Sequence, residues 1–203
     1  MKICFSGIDG SGKSTYIKLL SQQLGALNHR NVVQHDPMKR GKITKYFSAS
    51  SYDLNASSGN SLSSTAVSAG YAFDLLAAMC EMRNDCINLI HRGPMCCKVY
   101  SRLSNADPEV IDCICKSIGN PDLTVLVETE PAVAYQRILE RDTSIRSWKE
   151  DIARMEEAAL LFTAESNRYS GEIIRLNGNT PESIELNTRK LYNWIIDHIA
   201  TLC

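Results

Sequence analysis

Along this chain, short all-apolar runs alternate with longer stretches in which apolar residues recur every three or four positions. That alternation predicts an α/β protein with a mostly parallel sheet. Lys2 to Ser6 predicts a first strand. After a glycine-rich turn, a helix from about Lys13 to Leu27 places Tyr16, Ile17, Leu19, Leu20 and Leu24 toward the sheet. Asn31 to His35 predicts a second strand, closed by Asp36-Pro37. Residues 49–68 are dense in serine, carry Asn55, Gly59 and Asn60, and hold few large apolar residues. Such a stretch buries too little surface to fix itself, which predicts a mobile surface loop. Helical spacing then runs from about Tyr71 to Ile90 through Leu75, Leu76, Met79, Met82, Cys86 and Leu89, with Gly93-Pro94 as its stop. Met95 to Tyr100 predicts a strand, and Asp107-Pro108 a capped short helix to Ile118. Leu123 to Val127 predicts a buried strand, and Glu130-Pro131 launches a helix through Arg141. The charged segment 141–150 separates it from a helix ending near Arg168. A strand over Ile173 to Leu176 and a closing helix over Pro181 to Ile199 complete the pattern, with Leu186, Leu191, Trp194, Ile195 and Ile199 inward.

Length and charge narrow the classes. The 203 residues fit one domain, 1–203, with room for a well-buried core and no linker or internal repeat to divide it. Lys and Arg number 22 against 23 Asp and Glu, and a net charge of −1 offers no field for a polyanion, so nucleic acid is not expected as a partner. The start, MKICFSGIDG, has too short an apolar run for a secretory leader, and no stretch approaches a membrane span. A cytoplasmic protein without a membrane partner is expected. Eight cysteines include no C-x-x-C and no matching histidine ladder, so they are expected to be free thiols in the core rather than zinc ligands.

The chemistry enters at Gly7-Ile8-Asp9-Gly10-Ser11-Gly12-Lys13-Ser14, followed by Thr15, a full match to G-x-x-x-x-G-K-[ST] between a predicted strand and a predicted helix. Successive backbone N–H groups and the positive end of the helix dipole then converge where a polyphosphate can sit. Lys13 would reach the β- and γ-phosphates, and the Ser14 hydroxyl would bind Mg²⁺. Loops of this form serve GTPases, ATPases and kinases alike. A guanine-specific GTPase would carry Asn-Lys-x-Asp after a late strand, and this chain has none.

The opening Phe5-Ser6-Gly7-Ile8-Asp9-Gly10-Ser11-Gly12-Lys13-Ser14-Thr15 resembles the F-x-G-x-D-G-x-G-K-[ST] of the thymidylate kinase family, a group of nucleoside monophosphate kinases. Asn120 to Pro131 resembles that family's P-D-L-T strand and turn, continued by Ala134, Arg137 and Arg141. The resemblance implies a three-layer α/β/α P-loop sandwich with a mostly parallel five-stranded sheet, ATP and Mg²⁺ as cofactors, and a possible homodimer. It also implies that Asp9 touches the acceptor's sugar hydroxyl and that 141–150 is a lid over ATP, with Arg141, Arg146 or Lys149 supplying a transition-state cation. Between these segments the likeness thins. The family's Arg-Glu-Pro becomes His35-Asp36-Pro37, its Asp-Arg after the third strand becomes Ser101-Arg102, its base-facing arginine finds no counterpart near Asp74 to Ala78, and its tyrosine-glutamine segment is absent.

Arg102, expected just past a buried strand where open α/β sheets bind ligands, either clamps an anionic group of the acceptor or is a solvent-facing arginine. Asp36 either contacts Mg²⁺ or the acceptor, or simply ends its strand in an Asp-Pro turn. Lys39, Arg40, Lys42 and Lys45 form a basic patch that either greets an anionic substrate or is a solvated helix face. The leading expectation is transfer of the ATP γ-phosphoryl group to a nucleotide, a nucleoside or another small acceptor. The alternatives are a nucleotide-dependent switch and a kinase paralogue that has lost transfer.

Overall fold

The computed structural model describes residues 1–26, 31–37, 41–46, 61–140 and 151–200. Its elements are β1 (Lys2–Ser6), α1 (Lys13–Gly25), β2 (Val32–His35), α2 (Ser61–Glu81), β3 (Ile87–His91), α3 (Pro94–Leu103), α4 (Pro108–Ile118), β4 (Leu123–Glu128), α5 (Pro131–Leu139), α6 (Ile152–Asn167), β5 (Ile173–Asn177) and α7 (Pro181–Ala200). The strands form one five-stranded sheet in the order β2-β3-β1-β4-β5. Every pairing is parallel.

Alternation along the central strands builds two cores, as a parallel sheet covered on both faces requires. Ile3, Phe5, Leu89, Val125 and Val127 point to one face and pack with Tyr16, Leu20 and Leu24 of α1 and Ile184, Leu191 and Ile195 of α7. Cys4 and Ile90 point to the other, against Leu75 and Met79 of α2, Cys97 of α3 and Ile111 and Cys115 of α4. Ile8 and Leu126 meet Met95 and Val99 of α3 and Met155, Ala158 and Phe162 of α6 on that same side. Each fully buried leucine or isoleucine contributes roughly 2 kcal/mol.

The structure corrects the middle of the sequence reading. Helix α2 ends at Glu81, the run Ile87–His91 is a strand, and Met95 to Tyr100 lies inside a helix. A short apolar run is compatible with either period, and here Pro94 begins a helix as its N1 residue instead of stopping one. Residues 61–68, expected in a mobile loop, form the start of α2. Tertiary contacts hold it there: the Asp107 backbone N–H donates to Thr65 Oγ1 at 2.8 Å, and Ser68 and Ser104 share a hydroxyl contact at 3.4 Å. Residues 49–60 lie outside the described residues. Leu186, expected inward, is exposed, and Ile184 fills the core instead. Of the cysteines, Cys4, Cys86, Cys96, Cys97 and Cys115 are buried, while Cys80 and Cys113 are exposed. Among the described residues no helix is long and apolar enough to cross a membrane.

Asp74, where the resemblance left no arginine, has a structural task. Its carboxylate accepts from the backbone N–H groups of Ile43 and Thr44 and from Thr44 Oγ1 at 3.1, 2.8 and 2.6 Å. It thereby caps the helical turn at 42–46 from a distant helix.

Candidate active site

The loop between β1 and α1 follows from its glycines. Gly7 and Gly10 adopt φ of 138° and 79°. A Cβ at Gly7 would strike the Val127 carbonyl oxygen, and one at Gly10 the Ala134 carbonyl oxygen, so β4 and α5 press on the loop from behind. Further ties fix it: Thr129 Oγ1 donates to the Ser11 carbonyl at 3.0 Å, and the Ser11 N–H donates to the Ile8 carbonyl at 3.2 Å. Helix α1 begins after Gly12 with no side-chain cap and no acid in its first turn. Its first N–H groups therefore face a cavity, where an anion can satisfy them. Lys13 is buried, its ammonium donating to the carbonyls of Gly7 and Ile8 at 2.9 and 2.6 Å and to Ser11 Oγ at 3.3 Å. Ser14 and Thr15 are exposed.

The cavity over this loop has a volume of about 780 Å³ and is lined by Asp9 to Thr15, Leu19, Gln23, Asp36, His91, Arg92, Arg137, Pro181, Ile184 and Glu185. That size suits a nucleotide-sized ligand. Of the residues expected from sequence, Asp9 to Thr15 and Asp36 are brought together here, while Gly7 packs behind the loop against Val127. Arg102 is not: it lies in α3, where its guanidinium donates to Glu165 at 2.6 Å and shares that buried carboxylate with Lys98 at 3.3 Å. Its expected place past a strand belongs to Arg92, because β3 ends at His91. Arg141, Arg146 and Lys149, expected in the lid, lie outside the described residues.

Parallel pairing sets Phe5 of β1 opposite His91, and the Arg92 N–H donates to the Phe5 carbonyl at 3.0 Å. Both side chains thus stand at the carboxyl edge of the sheet beside the phosphate loop. Arg92 adopts φ of 71°, a left-handed conformation that a non-glycine residue holds only under tertiary constraint. Its Nη2 pairs with Asp9 Oδ1, with the side chains 9% and 11% exposed. The guanidinium also lies over the Tyr100 ring, 5.0 Å from its centre. Burial opposes the Arg92 charge, but the paired Asp9 carboxylate offsets it, and the pKa stays above the usual arginine value. Burial raises the Tyr100 phenol, keeping it neutral. Arg92 Nη1 is buried and has no acceptor.

His91 reaches the loop from the same edge. Its Nε2 lies 3.3 Å from Ser14 Oγ, and its Nδ1 lies 3.9 Å from Asp36 Oδ2. On the opposite side, Arg137 ties the loop to the β5–α7 connection, donating to the carbonyls of Gly178 and Asn179 at 2.7 Å each and to Gly10 at 3.4 Å. Sequence reasoning left His91, Arg92 and Arg137 without roles. The signal for the first two was a polar pair, His91-Arg92, followed by Gly93-Pro94 at the end of the apolar run Ile87 to Ile90.

A parallel 2-3-1-4-5 sheet, with a glycine loop joining its central strand to a helix whose N-terminus faces a cavity, defines a P-loop nucleotide-binding domain. The family model for thymidylate kinase matches residues 5–189, and the chain belongs to that family. Membership makes it a nucleotide kinase with a nucleotide as substrate. No curated protein matches the chain.

Proposed function

We propose that this protein transfers the γ-phosphoryl group of ATP, bound with Mg²⁺, to a nucleoside monophosphate or a closely related small acceptor in the cytoplasm. The observation that carries this reading is the placing of two cations in one cavity. Lys13 stands under the loop, and Arg92 stands at the end of β3, each beside a different part of the same space.

The residues fit an ATP–Mg²⁺ group. The uncapped start of α1 would offer N–H donors to the phosphates, and the Lys13 ammonium, now on the loop carbonyls, would exchange them for phosphate oxygens. Ser14 would hold the metal, which when bound neutralises charge on the transferring phosphoryl group. Arg137, Pro181 and Ile184 form the wall beyond the phosphates. The flat guanidinium, pinned by backbone carbonyls, suits the face of a base.

Arg92 takes over the acceptor clamp first expected of Arg102. Asp9 aims its guanidinium, and the unmatched Nη1 offers a donor to an anionic group such as the acceptor phosphate. Transfer needs in-line placement more than covalent help, and these contacts supply positioning at both ends. Closure by the 141–150 segment, with Arg141 or Arg146 toward the phosphates, belongs to the same proposal and would limit hydrolysis.

The test is ADP release from ATP across nucleoside monophosphates, nucleosides and phosphorylated metabolites, with Lys13→Ala as the blank. One class of monophosphate is expected to raise turnover well above the blank. If no acceptor does, the kinase reading fails. Slow hydrolysis alone would then favour a nucleotide switch, a second reading prompted by His91 standing where P-loop enzymes place an acid.

A further inference from the structure

In P-loop enzymes the hydroxyl of the loop serine shares its metal with a carboxylate supplied from a neighbouring strand. Here β3 ends without one: His91 occupies the strand terminus, and its ring faces Ser14. We propose that His91 Nε2 is a direct ligand of the nucleotide-bound divalent cation, held in place by Asp36, and that the site consequently prefers Mn²⁺ or Co²⁺ to Mg²⁺. This inference rests on the nucleotide-binding reading above.

Three observations support it. First, Ser14 Oγ and His91 Nε2 are 3.3 Å apart. Adjacent ligands of an octahedral ion at about 2.1 Å are separated by roughly 3 Å, so both atoms fit neighbouring corners of one coordination sphere. Second, a metal-bound histidine usually directs its other ring nitrogen at a carboxylate, which fixes the tautomer and the ring plane. Nδ1 of His91 points to Asp36 Oδ2 at 3.9 Å, on a side chain 27% exposed at the cavity wall. That separation is longer than a hydrogen bond, so Asp36 faces Nδ1 as a nearby charge. Third, Ser14, Asp36 and His91 all line the cavity over the loop. An ion held by Ser14 and His91 would face that space, and the nucleotide phosphates would complete its coordination.

The metal preference follows from ligand chemistry. Carboxylate and water suit Mg²⁺, whereas an imidazole nitrogen binds Mn²⁺ and Co²⁺ better, in the order of divalent affinities for nitrogen sites. Exchanging the strand-end acid for histidine moves the site along that series. Asp36 becomes a positioning residue that acts through the ring.

The experiment uses the full chain with ADP and Mn²⁺, observed by pulsed electron paramagnetic resonance for coupling between Mn²⁺ and ¹⁴N. Wild type is expected to show imidazole nitrogen coupling. In His91→Gln and His91→Asp the coupling is expected to vanish while Mn²⁺–ADP stays bound. Titration calorimetry should show the preference for Mn²⁺ over Mg²⁺ falling about tenfold in His91→Asp, and Mn²⁺–ADP binding weakening about tenfold in Asp36→Asn. Bound Mn²⁺–ADP without nitrogen coupling in wild type, or coupling that survives in His91→Gln, overturns the ligand assignment alone. Unchanged affinity in Asp36→Asn overturns the role of Asp36. Failure of ADP to bind with either metal overturns the nucleotide reading beneath it as well.

Discussion

The phosphate loop and the end of β3 face each other across one cavity, yet they are built differently. The loop is a single contiguous segment, residues 7 to 15, clamped by backbone contacts from β4 and α5 and tied by Thr129 and Arg137. Its shape depends on glycine conformations and main-chain donors, which tolerate little change. The β3 edge instead relies on side chains brought from four places: Asp9 from the loop, Asp36 after β2, His91 and Arg92 at the end of β3, and Tyr100 from α3. Side-chain constellations can be replaced residue by residue without disturbing the sheet. It is consistent with this that the loop keeps the family pattern and that the strand end departs from it.

The strongest way to break the comparison is at the loop's cation. Lys13→Ala is expected to lower kcat roughly a thousandfold or more while the fold persists, because it removes charge from the transferring group. Single-turnover assays with the preferred acceptor, beside a thermal melt, check this. At the opposite edge, Arg92→Ala should lower kcat/KM for a phosphorylated acceptor by at least about 100-fold. It should also cost about 3 kcal/mol of stability by removing the guanidinium paired with the largely buried Asp9 carboxylate, and Arg92→Lys should restore little since the ammonium lacks the planar fork. Acceptor kinetics and urea unfolding separate the two effects, and an unchanged acceptor KM and kcat would remove Arg92 from the site.

Gly10→Ala tests whether backbone shape governs the loop. The new methyl meets the Ala134 carbonyl at a residue with φ of 79°, so a loss of about 2 kcal/mol and weaker ATP binding are expected. Denaturation and nucleotide titration measure both. The smallest effect is expected at Arg102→Ala: about 1 kcal/mol of stability, because Glu165 keeps Lys98, and kinetic constants within roughly twofold of wild type. A large rise in acceptor KM there would return the clamp to Arg102.

Legibility in the sequence followed the range of the interactions. β1, the loop, α1, β4 and the capped α4 could be read because their signals are local: an apolar run, a glycine pattern, a proline at N1, an Asp107 cap that accepts from the Glu109 N–H at 2.9 Å. β3 could not. Its apolar run follows an apolar-rich helix, and the two merge into one apparent helical period. That one misplacement moved the expected strand end from His91 to Tyr100 and carried the proposed clamp with it to Arg102. Asp74 was legible only as the absence of an arginine, since the turn it caps lies 30 residues away at Thr44.

What the chain determined by itself is the phosphate loop, because the donors, the glycines and the lysine follow one another within a few bonds and need only a strand before and a helix after. What the tertiary structure decided is which residues complete the site. Arg92 meets Asp9 across 83 positions of sequence, and His91 meets Ser14 across 77. Those meetings exist because the pairing of β1 with β3 sets Phe5 opposite His91, and a parallel register between distant strands is fixed by the packing of both sheet faces rather than by any local run of residues.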